Sequence, residues 1–141
     1  LSSIVIPDSV TEIEEGAFSE CRALTTVVLP NSLTEISDYL FSCCASLSSI
    51  LIPDSVTEIE TGAFQRCTSL LSIVIPDSVT EIEDIAFSQC SALRSVLLPA
   101  SVTEIGVGAF DKCPNLTLTV FRNSYAERYA QRNHIPYTYA D

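Results

Sequence analysis

Six cysteines, one histidine and eighteen acidic side chains are the groups with chemistry to offer in this chain, and their spacing decides which chemistry. Cys21, Cys44, Cys67, Cys90 and Cys113 recur every 23 residues without a slip. A zinc site needs cysteine pairs separated by two to four residues, and the chain has none. Side chains that repeat at a fixed period stack with parallel Cβ vectors, about 4.8 Å apart. A disulfide needs its two side chains turned toward each other, so the column reads as a ladder of free thiols acting as small hydrophobes. Cys43 stands outside it, where the other copies carry Glu20, Arg66, Gln89 and Lys112. It is expected to be exposed and the most readily oxidised thiol. His134 has no serine or cysteine in a recognisable nucleophile context, and the four glycines form no phosphate loop. Neither an enzyme nor a cofactor is expected.

The carboxylates are also columnar. Glu12, Glu35, Glu58, Glu81 and Glu104 share one register. At about 5 Å spacing, neighbours repel by about 0.8 kcal/mol in water. Solvent, backbone hydrogen bonds or cations must offset that, which makes the stripe a weak candidate for Ca²⁺ and otherwise a solvated face. No dedicated metal site is read.

What positions these columns is the repeat itself. Leu1, Leu24, Leu47, Leu70, Leu93 and Leu116 mark five copies, 1–23, 24–46, 47–69, 70–92 and 93–115, each following L-x-x-[IV]-x-[IL]-P-x-S-[VL]-T-E-I-x-x-x-[AL]-F-x-x-C-x-x. Such a period signals a solenoid, in which no copy buries its apolar face alone. Ser3-Ile4-Val5-Ile6 alternates and is β-branched, a short strand stopped by Pro7. Val10–Ile13 suggests a second extended piece, and Glu15–Phe18 a helical or 3₁₀ turn back to the next leucine. Strands at equivalent places are parallel. Leu1, Ile4, Ile6, Val10, Ile13, Ala17, Phe18 and Cys21 should face inward, with a stacked spine of Phe18, Phe41, Phe64, Phe87 and Phe110. Tyr39 and Ile85 replace a glycine at the turn, which implies local bulging and suggests that the glycine conformation is not strictly required.

Strand alternation turns Val5, Val28, Leu51, Val74 and Leu97 outward. They form a candidate binding ridge flanked by small hydroxyls, Ser49 and Ser72 at its centre. Contiguous exposed apolar surface of this kind marks partner sites.

Net charge is −11. This repels phosphate backbones, so no nucleic-acid partner is expected. Apolar content of 47% comes in bursts too short to span a bilayer, so no membrane insertion is expected. No signal peptide is visible.

The L-x-x-[IV]-x-[IL] strand resembles that of leucine-rich repeats, and S-V-T-E-I-x-x-x-A-F-x-x-C is similar to the BspA-like, Treponema-type subclass. The tail, Ser124-Tyr125-Ala126-Glu127-Arg128-Tyr129-Ala130 and then Ile135-Pro136-Tyr137, resembles that family's closing segment. Residues 116–141 read as a C-terminal cap: a helix over about 124–133, begun by a Ser124/Glu127 capping box and ended at Asn133, plus a short strand. The fold class is therefore a leucine-rich repeat solenoid, mostly β, with a parallel sheet on one face. The resemblance implies a non-catalytic protein–protein interaction module of a cell-surface or secreted adhesin-like protein, with a host matrix or surface protein as ligand. A cytoplasmic location is the alternative, since unpaired thiols suit reducing surroundings. The competing function is a structural spacer or self-assembling array, associating through a first coil that no preceding cap covers.

Overall fold

The computed structural model describes residues 2–141, so Leu1, placed inward from the sequence, lies outside the described residues. Each repeat is one coil; coils two, four and five carry two short parallel β segments, coil one only the first and coil three only the second. The concave face carries two sheets, a pair of β1 (Ser3–Val5) and β2 (Thr26–Val28), and a four-stranded sheet of β5 (Ser72–Val74), β7 (Ser95–Leu97), β9 (Thr117–Val120) and β10 (Tyr137–Tyr139). The Thr-Glu-Ile segments of coils two to five form a further sheet, called the second sheet below, of β3 (Glu35–Ile36), β4 (Glu58–Ile59), β6 (Glu81–Ile82) and β8 (Glu104–Ile105). Register is one repeat throughout the second sheet, Glu35 opposite Glu58, Glu58 opposite Glu81 and Glu81 opposite Glu104.

The polar members of the repeat pattern hold the coils together. Cys44, Cys67, Cys90 and Cys113 each donate S–H to a phenylalanine carbonyl of the preceding coil, at 3.1–3.2 Å. Ser55 and Ser101 hydroxyls donate back in the same way, to Leu33 and Val79. All six cysteines are free, with Cys44, Cys67 and Cys90 buried. Cys43 is half-buried rather than exposed, because its turn packs against the next coil, where Gln65 O accepts from Cys43 N–H at 2.8 Å. The phenylalanine spine is continuous: successive rings lie 5.8, 5.5, 5.2 and 5.3 Å apart and nearly parallel.

The convex side differs from expectation. Glu15–Phe18 and its copies form runs of tight turns, closed by bonds such as Ala17 N–H to Glu14 O and Ser19 N–H to Gly16 O, and no helix forms there. The glycine conformation is also kept where the glycine is lost. Gly16, Tyr39, Gly62, Ile85 and Gly108 have φ of 67, 55, 64, 51 and 68°. Tyr39 and Ile85 adopt it at a cost of about 1–2 kcal/mol each. Glycine in alternate coils makes room for them: a Cβ at Gly62 would lie 2.4 Å from the Tyr39 ring. Gly62→Ala should therefore lower stability by about 2 kcal/mol, and Gly16→Ala, whose Cβ meets only Ser19 at 3.9 Å, by about 1 kcal/mol. Urea unfolding measures both, and adding Tyr39→Ala should erase the difference between them.

The cap holds more strand than the sequence suggests. β9 continues the concave ladder as a sixth rung, Thr117 opposite Ser95, and β10 pairs parallel with β9. Between them lies α1 (Tyr125–Arg132). Ser124 Oγ accepts from Glu127 N–H, but the Glu127 carboxylate reaches Asn123 N–H, one residue outside the usual reciprocal pair. At the other end Ile135 N–H bonds Ala130 O and His134 N–H bonds Gln131 O, with His134 at φ 56°. That is the Schellman geometry, so the sole histidine occupies a helix-ending position.

Candidate functional site

Side-chain alternation in the concave strands sends Val27, Ile73 and Val96 into the core and their successors outward. Val5, Val28, Leu51 and Val74 are exposed to 71, 49, 83 and 60% of their full surface. Ser49 and Ser72 are exposed beside them. Leu97 is only half-buried, and the column then changes character, passing to Thr119 opposite Leu97 and on to Thr138. The apolar ridge therefore runs over the first four coils.

Coil three is the irregular part of this face. Ser49–Leu51 joins neither concave sheet, so the ladder stops after β2 and resumes at β5. Among the described residues, no backbone hydrogen bond joins coils two and three on the concave side, although the convex turns and the second sheet bridge them. Leu51, the most exposed member of the ridge, sits in that gap. Leu71, 48% exposed, adds to the apolar surface at coil four. Its signal in the sequence was a break of column, since the other copies carry Ser2, Thr25, Ser48 and Arg94 there.

The acidic stripe gains members that the column reading omitted. Glu60 converges with Glu35 and Glu58, and Glu83 with Glu81 and Glu104, each trio able to bring one oxygen apiece within 4.8 Å of the others. Glu12 lies in neither trio, but with Glu14, Glu15, Glu35, Asp38 and Glu60 it lines a shallow 220 Å³ cleft. Partial burial, then the Glu58 carboxyl beside it, pushes the Glu60 carboxyl up to about 8. Burial and then Glu81 raise Glu83 as well. A proton on Glu60 relieves part of this crowding at neutral pH. The folded chain binds this proton more tightly than the unfolded one, so stability should fall as pH rises from about 4.5 to about 8. Glu60→Gln should remove that slope and stabilise the protein at pH 8 by about 1–2 kcal/mol, allowing for solvent screening. Melting curves across this pH range decide it.

The repeat geometry defines a class, the leucine-rich repeat solenoid, and the comparisons narrow it. The model of the BspA type leucine rich repeat region matches six copies over residues 1–117, and the chain belongs to that family. It is similar to the T. pallidum leucine-rich repeat protein, at 38% identity and TM-score 0.81, over 84% of this chain and 58% of that one. It is also similar to the pneumococcal vaccine antigen PcpA, at 28% identity and TM-score 0.78, over 86% of this chain and 31% of that one. A leucine-rich repeat protein from Bacteroides ovatus matches at 27% identity and TM-score 0.70, over 84% of this chain and 37% of that one. The chain thus spans less than two thirds of each of these proteins. No curated protein sequence matches it. Members of this repeat family commonly serve in protein interaction. Among the described residues no helix is long and apolar enough to cross a membrane.

Proposed function

We propose that the chain is a non-catalytic protein-binding module whose concave ridge of Val5, Val28, Leu51 and Val74 receives a host matrix or cell-surface protein, as part of a surface or secreted adhesin-like protein. The observation that carries this is four aliphatic side chains at the same position of successive coils, each about half exposed or more, on the concave face. Monomeric proteins seldom leave such a row in water without a partner for it. Likeness to a pneumococcal vaccine antigen supports a surface or secreted location. A photo-crosslinking amino acid at position 51 should trap the partner from a panel of matrix and surface proteins, and the same group at the convex position 19 should not. Adducts at 19 alone would move the site off the ridge.

A second reading, a self-assembling array, draws on coil one. Ile4, Val10, Ile13 and Phe18 are half-buried there, whereas Val27, Leu33, Ile36 and Phe41 are buried in coil two. Concentration-dependent sedimentation abolished by Ile4→Lys would favour it.

A further inference from the structure

Along the convex side the coils are tied by a one-way ladder. Three alternate N–H groups of each turn donate to carbonyls of the following coil. In coil three Gly62, Phe64 and Arg66 donate to Asp84, Ala86 and Ser88, at 3.1, 2.8 and 2.8 Å. In coil four Ile85, Phe87 and Gln89 donate to Val107, Ala109 and Asp111, at 3.0, 2.7 and 2.8 Å. Coils one and two follow the same rule. Coil five repeats the donor geometry, with Gly108 and Lys112 at φ 68 and 57°, matching 64 and 59° at Gly62 and Arg66.

Yet Gly108, Phe110 and Lys112 N–H have no acceptor among the described residues. The cap supplies one elsewhere on this edge: the Tyr125 hydroxyl accepts from Ile105 N–H. Tyr129 lays its ring edge against Phe110, at 6.2 Å, and replaces the next phenylalanine of the spine. Between α1 and the coil-five turn a groove of 550 Å³ remains, lined by Val107, Gly108, Phe110, Lys112, Tyr129 and Ile135 among others. Val107, at its rim, is 83% exposed. A parallel row of free N–H groups beside an apolar groove has the chemistry of an open sheet edge, which captures main chain.

We propose that this open convex edge binds a short peptide segment of a partner protein, three of whose alternate carbonyls accept from Gly108, Phe110 and Lys112 N–H while an apolar side chain packs on Val107 and Ile135. Recognition is mostly of main chain, because the coil-to-coil ladder accepts Asp-Tyr-Leu-Phe-Ser, Thr-Gly-Ala-Phe-Gln, Asp-Ile-Ala-Phe-Ser and Val-Gly-Ala-Phe-Asp in the same place. The residue at the phenylalanine position must be small, since Tyr129 already covers Phe110. This site is separate from the concave ridge and stands or falls independently of it.

The probe is the peptide acetyl-Val-Gly-Ala-Ala-Asp-amide, with amide exchange read by ¹⁵N NMR. In the free protein, the amides of Gly108, Phe110 and Lys112 should exchange at least about 100-fold faster than those of Gly62, Phe64 and Arg66. At about 5 mM peptide they should slow by about tenfold, and Val107→Asp should weaken the effect. Three results would overturn the proposal: protection already present in the free protein, no slowing at that peptide concentration, or protection that rises with protein concentration alone. The last would identify a second copy as the occupant.

Discussion

Phe64→Ala should lower the unfolding free energy by about 4 kcal/mol, with Phe18→Ala well below that. Phe64 is fully buried, with rings 5.5 and 5.2 Å away on its two sides. Removing it breaks the spine mid-stack and leaves a cavity that neighbours held by convex ladder bonds cannot close. Phe18 has a ring on one side only and is half-buried, so most of its transfer term is absent. A solenoid is stabilised by interfaces between adjacent coils, and a central loss weakens two of them. Urea unfolding of the two variants gives the comparison. Equal losses would mean that the coils do not depend on continuity of the spine.

The thiols should divide sharply toward an aromatic disulfide reagent at pH 8. The nucleophile is the thiolate, and burial holds the inner thiols protonated. Cys44 is pushed up to about 11 and Cys90 to about 12, and Cys67 is raised further, in each case chiefly by burial. At pH 8 a thiol at 12 is ionised about 10⁻⁴ of the time, against about a tenth for one at its ordinary value near 9, so its reaction should be about a thousandfold slower. Cys21 and Cys43, half-buried, should react first, and Cys44, Cys67 and Cys90 only as the protein unfolds. Mass spectrometry of timed samples assigns each site. Early labelling of Cys67 would show that the coils open on that side under native conditions.

Inward and outward columns were legible because a 23-residue period converts one local pattern into a stack. The spine, the thiol ladder, the second β segment and the exposed ridge all follow from side-chain alternation and repetition. Features that depend on how one coil meets the next were not legible. The turn at Tyr39 and Ile85 looked relaxed in one dimension, yet it stays left-handed because the adjoining coils carry glycine where those side chains lie. Glu60 and Glu83 join the acidic stripe through space, from two residues beyond Glu58 and Glu81 of the glutamate column. β9 escaped notice because Thr117–Val120 has left the repeat pattern, and only pairing with β7 and β10 makes it a rung. The gap in the concave ladder at coil three has no evident cause in its sequence, which keeps the repeat pattern at Ser49–Leu51.

The measurement that bears most directly on the ridge is binding of the chain to a panel of host matrix and surface proteins, beside a Val28→Glu/Leu51→Glu/Val74→Glu variant. All three side chains are exposed, so the variant should unfold at the same urea concentration as the parent, within about 0.5 kcal/mol per site. The ridge account predicts a partner bound by the parent and lost, by about 100-fold or more, in the variant. Undiminished binding by the folded variant would contradict it.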